Sequence, residues 1–219
     1  MAETRATIFS PNSAINTEIK EMLQYFSPAS QTRMRKAILD AKKAAEKHRD
    51  ENTDAGARHI FREFIPASIL NQNGFAFEYE IPIDGMKPDW LDVSARLMLE
   101  SYTFERGGSS NFFDRVKSSV TDKCNKYKGI VATKSLLFVV IVYLDFFTGM
   151  SLDECREDSW MFRSVFDAND SLSAILFFTE ATEIQVAVRE QHYEYFCLCA
   201  DSSFKTIPNW PFHTLDLKQ

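Results

Sequence analysis

The chain has few residues that break regular structure, and it has no apolar run long enough to cross a membrane. Its 219 residues include only seven glycines and seven prolines, which is typical of neither fibrous nor disordered proteins. The longest apolar run, residues 135–144 (SLLFVVIVYL), is far shorter than the roughly 20 residues of a transmembrane helix. The first residues, MAETRATIFSPNS, contain no apolar segment of the kind that signal peptides carry. We therefore expect a globular, cytoplasmic protein with no membrane partner.

Cysteine and histidine are also scarce, and their spacing fits no metal or disulfide pattern. Cys124, Cys155, Cys197 and Cys199 are spread through the second half of the chain, unlike a disulfide framework or a zinc motif. We expect them to be buried, reduced thiols, with metal or redox use as the alternative. The four histidines also lack metal-ligand spacing. Because the chain has neither a Walker loop nor a GxGxxG fingerprint, nothing in it indicates a nucleotide cofactor.

Positive charge is not in excess, since the net charge is -6 and the pI is near 5.3. This argues against a protein that holds nucleic acid through bulk positive charge. Basic residues can still be confined to one face. The stretch 31–50 (QTRMRKAILDAKKAAEKHRD) predicts an exposed helix with a basic side from Arg33 to Arg49. That side is either solvated or in contact with phosphates or a partner.

The order of periodic segments predicts a mixed α/β fold. Residues 1–54 are expected to form an N-terminal helical extension, and 55–219 an α/β core with β segments at its C-terminal end. A third helix is predicted over 55–72, where apolar residues recur at helical spacing despite Pro66. Further predicted elements of the core are strands over 75–81, 87–93 and 96–103, a turn at Asp84-Gly85, a helix over 112–128, a buried strand ending at Leu144, a capping box at Ser151, and β segments over 172–178 and 183–200. The strand-helix-strand order around 112–128 favours parallel pairing through a right-handed crossover.

Acidic residues recur near the ends of these strands. Glu78 and Glu80 belong to the first strand, Asp89 follows Pro88, and Glu100 comes eleven residues after Asp89. Two carboxylates on neighbouring strands can share a hard cation such as Mg²⁺, which prefers oxygen ligands and retains several waters. The alternatives are that the aspartate caps a turn and that the glutamate forms a surface ion pair.

The order of these elements and acids resembles the core of the PD-(D/E)XK nuclease superfamily over about residues 55–145. In that family an aspartate after proline and an acidic residue on the next strand bind magnesium. The resemblance implies a restriction-endonuclease-like mixed central sheet flanked by helices. It also implies that Asp89 is the motif aspartate, Glu100 the second ligand and Glu63 the additional acidic residue of the preceding helix, with Mg²⁺ or Mn²⁺ as the cofactor.

One motif residue is missing. The family places a lysine two residues after the second acid, where this chain has Tyr102. In some members a lysine from the following helix reaches the site instead, and here that helix carries Lys123 and Lys126, of which we favour Lys126. A solvated helix face is the alternative interpretation of these lysines, and a glutamate at the position of Glu63 is more often a solvated helix residue than a ligand.

These observations lead to three hypotheses about function. The first is a divalent-metal-dependent nuclease that hydrolyses phosphodiester bonds in DNA, with RNA less favoured, using Asp89, Glu100 and a helix lysine. The second is a catalytically inactive PD-(D/E)XK-like domain that serves as a binding or assembly module, in a homodimer or with a protein partner. The third is a structural protein whose acidic pair is coincidental. Fold resemblance alone does not separate them.

Overall fold

In a computed structural model of the chain, the described residues are 14–47, 53–102, 111–144, 150–185, 188–200, 204 and 206–217. They form a mixed α/β fold with one seven-stranded sheet flanked by helices. The strands are β1 (Glu78–Tyr79), β2 (Trp90–Asp92), β3 (Leu97–Tyr102), β4 (Leu137–Leu144), β5 (Ala174–Gln185), β6 (Val188–Cys199) and β7 (Thr214–Asp216). The helices are α1 (Ala14–Leu23), α2 (Pro28–Lys47), α3 (Thr53–Gln72), α4 (Phe112–Lys134), α5 (Leu152–Glu157) and α6 (Arg163–Asp167), with a 3-10 turn at Ser159–Phe162.

The strands lie in the sheet in the same order as in the chain. The first three strands pair antiparallel, β3, β4 and β5 pair parallel, β6 is antiparallel to β5, and β7 is parallel to β6. Helix α4 connects β3 to β4, which confirms the parallel pairing predicted from the strand-helix-strand order. Among the described helices, none has the length and apolar character needed to span a membrane.

The sheet is buried on both faces, and this explains the continuous apolar sequence of β4. Its residues alternate between two cores. On one face of the sheet, Ile141 and its neighbours pack against α1, α2 and α3. Val140 and its neighbours on the other face pack against α4, α5 and α6. Helices α3 and α4 therefore lie on opposite faces of the sheet, which decides which side chains can reach the predicted site.

Helix α2 is joined to β1 by a buried polar contact. The hydroxyl of Ser30, which is fully buried, accepts a hydrogen bond from the Tyr79 N–H at 2.8 Å. Arg33 donates to the Tyr79 carbonyl and to the Glu78 carboxylate, 3.3 Å away. Arg33, which the sequence placed on a basic face, is thus engaged in packing within the chain.

Several elements differ in length from the prediction, each for a local reason. Strand β1 covers only Glu78–Tyr79, because Glu80 has a positive φ of 49° that ends the extended conformation. Helix α3 runs through Pro66, since its buried apolar residues lie on both sides of the proline and outweigh one lost hydrogen bond. The capping box at Ser151 and the turn at Asp84-Gly85 are confirmed.

Candidate active site

Strands β2 and β3 bring Asp89 and Glu100 together. Trp90 pairs with Leu99 in the antiparallel register, so Asp89 lies directly opposite Glu100. The two are joined by a reciprocal pair of hydrogen bonds. The Asp89 N–H donates to Glu100 Oε1 at 3.0 Å, and the Ser101 N–H donates to Asp89 Oδ2 at 2.7 Å. Both carboxyl groups are therefore fixed by backbone donors that the sheet itself positions.

Helix α4 supplies a cation to this pair. Asn111 caps the helix by accepting a hydrogen bond from the Phe113 N–H, and buried Val116 and Val120 turn one face of the helix toward the sheet. Lys123 continues that face, and its Nζ lies 2.8 Å from Glu100 Oε2. The Glu100 side chain is 2% exposed and that of Lys123 is 22% exposed. A nearly buried glutamate thus has a lysine as its counter-ion.

Lys126, the other predicted lysine, is placed differently. It is exposed, and its Nζ lies 4.5 Å from the centroid of the Tyr127 ring. Its charge still reaches Asp89, whose pKa it lowers, but less than Lys123 does. The structure thus pairs Lys123 with the buried acid and leaves Lys126 at the surface beside it.

Tyr127 is the site residue whose role the sequence did not indicate. It lies within the helix predicted over 112–128 and is neither an acid nor a lysine. The side chain is fully buried, and its hydroxyl donates to the Lys87 carbonyl at 3.1 Å. Burial is the largest cause of the raised pKa of Tyr127. Its hydrogen bond and its charge interaction with Glu100 raise that pKa further. Tyr127 therefore connects the segment before Asp89 with the glutamate of β3, a contact that the linear spacing could not reveal.

The surroundings of Asp89 disfavour the charged form of its carboxyl group. Burial and then the charge of Glu100 raise its pKa to about 6, against the opposing effects of Lys123, the Ser101 N–H and Lys126. Its second oxygen, Oδ1, has no hydrogen-bond partner among the described residues. This oxygen is available to a ligand that compensates negative charge.

Three other positions that the sequence singled out lie on α3, β1 and β3. Glu63 is on α3, whose apolar residues pack on the face of the sheet opposite to α4. The charges of Glu63 and Asp89 both raise the pKa of Tyr79. Glu78 is bound by Ser27, Ser30 and Arg33 at the α2 contact. Tyr102, at the position of the missing lysine, is half-buried at the end of β3.

Two carboxylates and a lysine suit a hard cation only in part. Among the described residues, no group of three or more histidines, cysteines or acids lies close enough to hold an ion. Mg²⁺, however, is commonly held by one or two carboxylates, with water and substrate phosphate completing its coordination. The Oδ1 atom of Asp89 and the carboxylate of Glu100 fit that donor set, and the raised pKa of Asp89 reflects negative charge that a cation would offset.

The site is not in the largest of the described cavities. That cavity, of about 700 Å³, lies between α1, α3 and β6, and its lining includes none of Asp89, Glu100 and Lys123. Paired acids, one of them with a raised pKa, are a separate indication of a functional site. Comparisons with known proteins give no match: no family model, no curated protein and no solved structure matches this chain.

Proposed function

We propose that this chain is a divalent-metal-dependent nuclease-like domain of the PD-(D/E)XK type, which hydrolyses phosphodiester bonds in DNA and less readily in RNA. The observation that carries the proposal is the arrangement of Asp89, Glu100 and Lys123. The two acids are opposed across neighbouring strands, and the lysine amine lies 2.8 Å from the glutamate. These residue types in this order are the ones that the family resemblance predicts, with the lysine coming from α4.

The residues have distinct roles in this proposal. Asp89 and Glu100 would hold Mg²⁺ or Mn²⁺, and a bound ion would supply positive charge that stabilises the phosphoryl oxygens as the bond breaks. Lys123 pairs with the Glu100 carboxylate and orients it in a nearly buried position. Lys126, exposed next to the pair, is available to contact a phosphate oxygen of the substrate.

Local positive charge supports a nucleic-acid substrate despite the net charge of -6. Lys87 is exposed two residues before Asp89, and α4 presents Lys126 and Lys128 at its surface. Lysines around the site would neutralise phosphates there. Binding should therefore weaken steeply as salt is added.

A second candidate is a domain that keeps the fold and has lost catalysis. The observation that favours it is that Lys123 already neutralises Glu100 at 2.8 Å, so the glutamate has a counter-ion without a metal. In that case Asp89 and Glu100 stabilise the joint between β2, β3 and α4, and the domain acts through binding. A cytoplasmic location fits either candidate, since the four cysteines are buried and form no disulfide.

Metal binding and cleavage distinguish the two candidates. We expect Mg²⁺ or Mn²⁺ to raise the melting temperature of the wild-type protein, and we expect cleavage of a supercoiled plasmid only when the metal is present. Asp89→Ala should abolish both effects while remaining folded by circular dichroism. The matched control is Asn125→Ala, on the exposed side of α4, which should behave as wild type. If neither metal changes the melting temperature of the wild-type protein, that result would contradict the nuclease proposal and favour the inactive domain.

A further inference from the structure

Lys123 acts as the cation of the acidic pair. The Glu100 Oε1 atom accepts a hydrogen bond from the Asp89 N–H at 3.0 Å, and its Oε2 atom accepts one from Lys123 Nζ at 2.8 Å. Both oxygens of this carboxylate therefore already have a partner. The glutamate side chain is only 2% exposed, so it has little surface at which a further ligand could be added.

The same amine also acts on Asp89. Burial and then the charge of Glu100 raise the pKa of Asp89, and Lys123 is the strongest of the influences that lower it. The single positive charge of Lys123 thus offsets two carboxylates only in part. A divalent cation would match both, but it would lie next to the ammonium group, and like charges close together in a poorly hydrated site repel each other strongly.

Of the groups at this site, the lysine is the one that can move. Its side chain is 22% exposed, whereas the glutamate is nearly buried, and a lysine ammonium is a strongly hydrated charge on a flexible stem. Asp89 and Glu100 are instead fixed by backbone N–H groups of the sheet. When another cation competes for the acids, the lysine amine can therefore turn to solvent while the acids stay in place.

We propose that Lys123 is a built-in competitor of the metal ion: its ammonium group neutralises Glu100 while no metal is bound, and it leaves Glu100 when a divalent cation binds. This inference rests on the metal site of the proposed function and adds a control of metal binding to it. The acidic pair keeps a counter-ion at low metal concentration. Metal binds only at concentrations high enough to displace the lysine, whose released amine then lies in solvent near exposed Lys126.

Isothermal titration calorimetry with Mg²⁺ tests the competition. Lys123→Met removes the competing charge and should bind Mg²⁺ about tenfold or more tightly than wild type. Lys123→Gln should do the same, and because its amide can still donate a hydrogen bond to Glu100, it provides a neutral variant that folds if Lys123→Met does not. Mg²⁺ should also raise the melting temperature of both neutral variants more than that of wild type.

Two variants serve as controls for these titrations. Lys123→Arg keeps the positive charge and should bind Mg²⁺ no more tightly than wild type. Lys117→Met removes a half-buried lysine of the same helix that forms no ion pair within the described part of the chain, and it should bind the ion as wild type does. A gain in affinity confined to the neutral Lys123 variants would support the competition.

The position of the amine is measured separately, by acetylation with acetic anhydride followed by mass spectrometry. At a Mg²⁺ concentration that saturates the wild-type protein, acetylation of Lys123 should become faster, because its amine no longer pairs with a nearly buried carboxylate. Acetylation of Lys117 in the same sample should keep its rate.

The outcomes separate this inference from the proposed function. If wild type binds Mg²⁺ but the neutral variants bind it no more tightly, or the bound ion leaves the acetylation of Lys123 unchanged, the competition is overturned and the metal site stands. If the neutral variants bind Mg²⁺ and wild type does not, the competition is supported and the nuclease proposal fails. If none of these proteins binds the ion, both are overturned.

Discussion

Asp89 and Glu100 are held face to face by each other's strands: the Asp89 N–H donates to Glu100, and the Ser101 N–H donates to Asp89. This geometry holds two acidic groups close together although their negative charges repel each other. The unfavourable contact appears as the raised pKa of Asp89, whose causes are burial and then the charge of Glu100. The ionised pair therefore lowers the free energy of unfolding at neutral pH.

Replacing Asp89 by asparagine should stabilise the protein at neutral pH. The pKa of Asp89 is raised from 3.8 to about 6, so the folded state binds more protons than the unfolded state between these values. The stability that Asp89 contributes is complete below about pH 4 and is lost as the pH rises through about 6, by up to about 3 kcal/mol. An asparagine side chain would avoid this loss and still accept the hydrogen bond from the Ser101 N–H.

The measurement is urea denaturation of the wild-type protein and Asp89→Asn, in EDTA, from about pH 4 to about pH 7.5, a range that spans both pKa values. The two should have nearly equal free energies of unfolding at the acidic end. The variant should become the more stable one as the pH increases. If wild type and Asp89→Asn have equal free energies of unfolding at both ends of the pH range, Asp89 is solvated rather than crowded by Glu100.

Removing the counter-ion of Glu100 should have the opposite effect. Lys123→Met leaves a glutamate side chain that is 2% exposed without its cation, which should cost about 2–4 kcal/mol at neutral pH. Lys126→Met removes an exposed amine with no ion pair among the described contacts, and it should cost less than about 0.5 kcal/mol. Chemical denaturation of both variants gives these values.

The double variant Lys123→Met/Glu100→Gln provides the check on that mechanism. Because it removes the buried charge together with its partner, it should recover most of the stability lost in Lys123→Met. If the double variant is no more stable than Lys123→Met, the lysine stabilises the fold by packing rather than by pairing with Glu100.

Ser30→Ala should loosen the contact between α2 and β1. The buried hydroxyl accepts a hydrogen bond from the Tyr79 N–H and donates one to Glu78, and its loss should cost about 1–3 kcal/mol because the N–H is left unsatisfied. Thr32→Ala, at an exposed position of the same helix, should change the free energy of unfolding by less than about 0.5 kcal/mol. Similar values for the two variants in thermal denaturation would mean that the contact is not formed in solution.

Much of the fold could be predicted from the chain because the signals are local. The apolar run ending at Leu144 is a buried strand, and the periodic stripe from Phe112 to Tyr127 is helical, as predicted. The ends of the elements were harder to predict. Helix α4 continues to Lys134, beyond the predicted end at Lys128, because it is ended by the left-handed conformation of Ser135 rather than by a glycine.

The contact between the two acids was predictable from the sequence, but the lysine that pairs with one of them was not. Asp89 and Glu100 could be singled out because each has a strong local context, a proline before one and an apolar strand before the other. The choice between Lys123 and Lys126 depended on the rotation of α4 relative to the sheet. The two lysines are three residues apart and therefore differ by only about 60° around the helix axis, and no local pattern sets which of them faces the acids.

The sequence by itself determined which segments become strands and helices, because hydrophobic periodicity and capping act over a few residues. It also indicated that Asp89 and Glu100 belong to neighbouring strands, and in the structure Asp89 directly precedes β2 while Glu100 lies within β3. Only the tertiary structure decided that α3, which carries Glu63, and α4, which carries Lys123, cover opposite faces of the sheet. The same packing directs Lys123 at Glu100 and Tyr127 at the Lys87 carbonyl. These contacts join residues far apart in the chain, and their geometry follows from how whole elements pack.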